Sequence, residues 1–179
     1  MIEAEQYCWK EDTSMTAYPQ KESSAVFHSF LWKEMFLNNG LTNGIINAVL
    51  CYFLSAEQSD LHNYMIGTLI TNIILSIILI YLYPVLIRQK LRKDPQLSIP
   101  YTKDNHLLLA AFPDNGLITQ IILILICILL PTLLTMGLIV CMDVSEISQI
   151  QGALFRGIDC AVASILAYYL SVVFLKQKQ

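Results

Sequence analysis

Residues 76–90, SIILIYLYPVLIRQK, return at 164–178 as SILAYYLSVVFLKQK, and FLNNGLTNGII at 36–46 returns at 112–122 as FPDNGLITQII. Seven of fifteen positions agree in the first pair and six of eleven in the second, with Phe, Asn, Gly, Tyr, Gln and Lys among the shared residues. Shared aliphatics alone do not give that pattern. An internal repeat does, and a repeat alters how the whole fold is read. The offset is 88 residues for the first pair and 76 for the second, so the second copy carries twelve additional residues between its anchors. A tandem duplication with one insertion describes the chain.

The repeated unit is apolar. The chain is 55% hydrophobic and 14% charged over 179 residues, too apolar for an ordinary soluble domain. A helix crossing a bilayer core needs about 20 apolar residues, and four stretches approach that length: 40–57, 62–87, 115–141 and 152–175. Lipid offers backbone groups no hydrogen-bond partners, so a run such as IILILICILL at 121–130 reads as helix. The expected fold is an all-α membrane protein with four transmembrane helices. They form two parallel helical-hairpin repeats, each preceded by a short interfacial segment. Two helices per unit insert both copies in the same sense, which sets the pseudo-twofold axis along the membrane normal.

Along the chain, 1–22 reads as a flexible cytoplasmic tail, 23–90 as repeat 1, 91–105 as a basic, proline-containing linker and 106–179 as repeat 2. Ser24 is expected to cap a surface helix, and Asn39-Gly40 to break the chain before the first span. In the second copy HLLLAAF at 106–112 takes the surface role, Pro113 ends it, and Asp114 or Asn115 caps the third helix. Pro131 is expected to kink that helix, with Thr132 and Thr135 serving the freed carbonyls.

Charge gives an orientation. Lys10, Lys21, Lys33, Arg88, Lys90, Arg92, Lys93, Lys103, Lys176 and Lys178 lie in the N-terminal segment, the central loop and the tail, while 58–61 and 142–151 hold no Lys or Arg. The positive-inside rule then puts both termini in the cytoplasm. The acidic start MIEAEQYCWKED does not read as a signal peptide, and the expected location is a bacterial inner or plasma membrane. The basic loop is expected to meet anionic lipid and not nucleic acid.

Five cysteines form no CxxC pair, three histidines are far apart in the plan, and no phosphate loop, HExxH or catalytic triad is present. No catalytic residue, metal site or cofactor is expected.

Polar residues inside the spans are the candidates for function. Asn39, Asn43 and Asn47 recur every four residues, beside the small-residue track Gly40, Gly44 and Ala48. Such a track lets another helix approach closely, within the bundle or in a homo-oligomer, a dimer being preferred. Thr68, Asn72 and Ser76 form a second stripe, which the repeat maps onto Arg156, Cys160 and Ser164. If the stripes face one another, they make a polar column. Arg156 and Asp159 are the only charges well inside a span, where ionisable groups are costly and mark functional sites. These features point to a small permease or channel-like transporter, with Arg156 and Asp159 as gate or coupling pair. The alternative is a non-transporting assembly factor, complex subunit or anchor for a cytoplasmic partner. In general plan the chain resembles small four-helix membrane proteins of bacteria, and no motif singles out one family.

Overall fold

Helix α6, Gln149–Val173, is the element on which the others pack. The computed structural model describes residues 20–54, 58–94, 97, 99–102, 105–113, 115–143 and 146–175. Before α6 come α1 (Gln20–Trp32), a π-helical run (Lys33–Leu41), α2 (Thr42–Leu54), β1 (Gln58–Asp60), α3 (Leu61–Lys93), α4 (Leu107–Ala111), α5 (Gly116–Cys141) and β2 (Glu146–Ser148). Helices α3, α5 and α6 are long and apolar enough to cross a membrane. In its most apolar stretch α6 is 56% buried, against 33% for α3 and 28% for α5, which makes α6 the inner helix and leaves the other two with broad outward faces. Exposed Ile70, Ile74 and Ile78 on α3, and Ile118, Leu125 and Leu129 on α5, suit contact with lipid.

The expected first span, 40–57, is described only to Leu54, as a 13-residue α-helix continuing out of the π-helical run. Asn39-Gly40 does not break the chain. Asn39 Nδ2 donates to the Glu34 carbonyl at 2.6 Å and Thr42 Oγ1 to the Leu37 carbonyl at 3.3 Å, each five residues back. Side-chain donors thus serve the wider turn, and residues that favour turns in isolation are held in a helix. Helix α1 already begins at Gln20, so Ser24 lies inside it and does not cap it. Nor does α1 lie clear of the bundle, since Phe27 and Leu31 are buried with Tyr83, Ile87 and Tyr168 in the main core.

At the opposite end β1 and β2 pair antiparallel, with Ser59 opposite Ile147 and Asp60 opposite Glu146. This ribbon ties together two loops that sequence alone leaves unconnected. It leads directly into α6, where Ser148 and Gln151 form a reciprocal capping box. Gln149 Nε2 also donates to the Tyr52 carbonyl at 2.6 Å, serving one of the end carbonyls that α2 leaves without a helical partner. Asn115 caps α5 by accepting from the Leu117 N–H at 3.1 Å. Pro131 sits within an uninterrupted α5. Thr132 Oγ1 donates to the Ile128 carbonyl, whereas Thr135 turns away from the backbone to Asp159.

The small-residue track has its contacts inside this chain. A Cβ on Gly40 would lie 2.6 Å from Ile165 Cγ1, one on Gly44 2.9 Å from the Gly157 carbonyl oxygen, and one on Gly157 2.9 Å from Ala48 Cβ. Backbone therefore meets backbone between α2 and α6, with no room for a methyl group. Gly157→Val should cost about 1–3 kcal/mol through overpacking. Gly137→Ala, where nothing lies within 4 Å of the new carbon, should be neutral or stabilising by about 0.5–1 kcal/mol. Thermal unfolding in one detergent checks both; a Gly157→Val protein as stable as the parent would refute the close approach.

Candidate functional site

Once α2 lies against α6, Asn43 is carried into the space between α3 and α6. Its Nδ2 donates to Ser164 Oγ at 2.9 Å and to Tyr83 Oη at 3.2 Å, so one amide joins three helices. Further toward the β-ribbon, Asn72 Nδ2 donates to Thr132 Oγ1 at 2.9 Å, linking α3 to α5. Beyond that pair, Thr135 Oγ1 of α5 donates to Asp159 Oδ1 of α6 at 3.1 Å. Asn72, Ser76, Asp159, Cys160 and Ser164 are all fully buried, and Thr68 and Thr135 nearly so.

Asp159 ends this chain of contacts. Its Oδ2 lies 4.0 Å from Arg156 Nη1, outside hydrogen-bond range, and neither atom has a hydrogen-bond partner. The Arg156 guanidinium lies over the Tyr64 ring, 5.7 Å from its centroid, a cation–π contact that offsets part of its desolvation. Tyr64 is in turn fixed by donating from its hydroxyl to the Gly152 carbonyl at 3.1 Å. At an effective dielectric constant near 20, opposite charges 4 Å apart attract by about 4 kcal/mol. Removing each ion from water costs several kcal/mol. The two terms are of one size, so this pair does not make the bundle stable; it makes Asp159 sensitive to small changes around it.

The basic end carries a second ion pair, which the sequence does not anticipate. Lys90 Nζ pairs with Glu34 Oε2, and Asn38 Nδ2 donates to Glu34 Oε1 at 2.9 Å. Glu34 is 8% exposed, hence a largely buried acid inside the π-helical run, the kind of helical irregularity that recurs at functional sites. Tyr168 is buried with an unpartnered hydroxyl and packs edge-on against the Tyr83 ring at 5.2 Å. Nearby, His106 Nε2 and Tyr169 Oη are 3.1 Å apart. Burial pushes the Tyr101 phenol above its ordinary value, and Tyr169 adds to the effect.

The expected stripes are therefore brought together unevenly. Asn43 meets Ser164, and Arg156 faces Asp159, while Thr68 Oγ1 returns to its own Tyr64 carbonyl and Asn47 Nδ2 to its own Asn43 carbonyl. Ser76 and Cys160 are buried without linking helices, and Ser76 Oγ has no partner. Glu34, Lys90, Tyr64, Tyr83, Thr132 and Thr135 complete the arrangement. Of these, only Thr132 and Thr135 carry a structural expectation from sequence, as partners for the carbonyls freed at Pro131. Cys141 is exposed and Cys160 buried, both as free thiols. Among the described residues no three His, Cys, Asp or Glu side chains converge as metal ligands.

From Arg156 to Tyr168 along α6 is twelve residues, about 18 Å at 1.5 Å per residue, a large part of the roughly 30 Å hydrocarbon core of a bilayer. A small pocket of about 10 Å³ lies beside Thr68, Thr132, Thr135 and Tyr64, at the lower bound of roughly 10–15 Å³ for one water molecule. Buried hydroxyls and amides recur between the Arg156–Asp159 pair and the Glu34–Lys90 pair. Comparison with known protein families, known proteins and solved structures finds no match for the chain. Thr135→Val keeps the side-chain volume and removes the hydrogen bond to Asp159 Oδ1, and should destabilise the protein by about 1–3 kcal/mol. A double-mutant cycle with Asp159→Asn measures the coupling, and additive effects of the two changes would show that the contact is energetically silent.

Proposed function

We propose that this chain is a small permease of the membrane, moving protons or a monovalent cation along the buried polar column, with Asp159 as the coupling group. The observation that carries the reading is the Asp159 carboxylate: fully buried, held on one oxygen by Thr135 and facing Arg156 with the other. An ionisable residue kept at that cost inside an apolar bundle is a functional suspect before it is a structural one.

In this reading α1, the π-helical run and α2 together supply a fourth span, and both termini lie on the cytoplasmic side with the basic linker. The duplication is supported by helix lengths. Counted from the aligned glycines, the first copy is described as helical from Gly40 to Leu54 and the second from Gly116 to Cys141, up to eleven residues longer, in the direction of the twelve-residue insertion read from the sequence. Because α6 occupies the Gly40, Gly44 and Ala48 track, a homodimer would use another face. The exposed apolar sides of α3 and α5 are available for it.

A second reading, a non-transporting membrane subunit or assembly factor that anchors a cytoplasmic partner, is favoured by the pairing of Asn43 with Ser164 and of Asn72 with Thr132. Such bonds act as packing glue between helices. Flux separates the two. In proteoliposomes with a trapped pH dye, the wild-type chain should dissipate an imposed pH or potassium-diffusion gradient. Asp159→Asn should lower the rate at least tenfold while keeping its melting temperature within a few degrees. No flux from a folded wild type, joined to a stable partner after mild-detergent purification, would establish the subunit reading instead.

A further inference from the structure

A second feature shares no side chain with the polar column. At the basic end a cleft of about 620 Å³ opens between α3 beyond Ile80, the start of α5, the end of α6 and the chain around 99–113. That volume falls within the roughly 300–1,000 Å³ of small-molecule sites. Its walls are mainly apolar, with Ile80, Leu123, Phe112, Phe174 and Val173 facing the space. Tyr101, Thr102, Thr119 and Gln120 interrupt them, and three further features bear on the choice of ligand. Arg88 lines the cleft and is exposed. Ser171 lines it too, is only 4% exposed, and its Oγ has no hydrogen-bond partner. Gly116 opens α5 on the same wall, where the first-turn N–H groups of a helix favour negative charge.

The relative depth of these groups follows from helix geometry. Tyr83 of α3 and Tyr168 of α6 pack together at 5.2 Å, and Tyr64 reaches Gly152 near the other ends of the same helices, so α3 and α6 run in one direction and these tyrosines mark one level. Ser171 lies three residues past that level and Arg88 five. At backbone level Arg88 is thus farther out by two residues, about 3 Å. From the outside inward the cleft presents a cation, then a buried hydroxyl short of a partner, then an apolar slot.

We propose that this cleft binds an anionic glycerophospholipid from the surrounding bilayer. Its phosphate lies at Arg88 and the start of α5, an ester carbonyl accepts from the Ser171 hydroxyl, and an acyl chain fills the slot against Leu123 and Ile80. A guanidinium and a helix N-terminus both select for the negative phosphate. A buried hydroxyl without a partner is an unfavourable arrangement that an ester oxygen would relieve. The inference needs only the bilayer and not transport, so the two stand or fall separately.

The test uses the full chain, purified, stripped of lipid by detergent exchange, and titrated with dioleoyl phosphatidylglycerol or dioleoyl phosphatidylcholine while native mass spectrometry counts bound lipid. One phosphatidylglycerol per chain should bind at least tenfold more tightly than phosphatidylcholine. Arg88→Gln should bring the two lipids to parity. Arg92→Gln, which removes a charge from the same helix end outside the cleft, should leave the preference intact. Ser171→Val should weaken both lipids alike without changing their ratio. Equal loss of preference in Arg88→Gln and Arg92→Gln would reduce the effect to diffuse charge attraction and overturn the site, as would a wild type that does not distinguish the lipids. Each variant is compared only after its melting temperature matches the wild type. For position 171, Ser171→Ala serves where the valine variant does not fold.

Discussion

The close approach of α2 to α6 is the constraint on which the rest depends. Gly44 and Gly157 bring two backbones together where even one added carbon would clash. Between helices that face lipid there is little hydrophobic gain from association, so dispersion contacts and interhelical hydrogen bonds must supply the attraction, and both require short distances. With α2 seated, Asn43 reaches Ser164 and Tyr83, and α6 becomes enclosed by α2, α3 and α5. A bulkier residue at Gly44 or Gly157 would push Asn43 away and open the polar face of α6.

The polar groups so enclosed divide into two kinds. Asn43 with Ser164 and Asn72 with Thr132 are neutral pairs that hydrogen-bond across helix boundaries. Arg156 with Asp159 is different, because the two groups carry full charge and approach only to 4.0 Å, outside hydrogen-bond range. Neutral pairs of this type hold a bundle together. A charge pair left incompletely satisfied stores responsiveness, since any rotation of α5 or α6 that improves or worsens its contacts changes the balance between attraction and desolvation. The Glu34–Lys90 pair near the other end is more exposed on its cationic side and is correspondingly better screened.

The sequence alignment sets Thr68 and Thr71 of α3 against Arg156 and Asp159 of α6, and both threonines return their hydroxyls to carbonyls four residues back in their own helix. Self-satisfied hydroxyls thus stand on α3 where α6 holds charge. The segments ahead of α3 and α6 differ as well: α1, the π-helical run and α2 form an unbroken run from Gln20 to Leu54, whereas α4 is five residues long and Phe112 and Pro113 follow it before α5.

Composition by itself determined the helical, membrane-directed character of the chain, the approximate places of its three long apolar helices, and the presence of charge at Arg156 and Asp159 inside one of them. These are local properties: length, hydropathy and the rarity of charge within apolar runs. Tertiary structure alone decided that Asn39-Gly40 stays helical, because the donors of Asn39 and Thr42 must find carbonyls five residues back. It alone decided that Thr135 serves Asp159 and not the backbone around Pro131, and that Glu34 becomes a buried partner of Lys90. A side chain's period fixes which face of its own helix it occupies, whereas its partner depends on how neighbouring helices are rotated and how near they come. Here that distance was set by two glycines on different helices, a fact no single stretch of sequence contains.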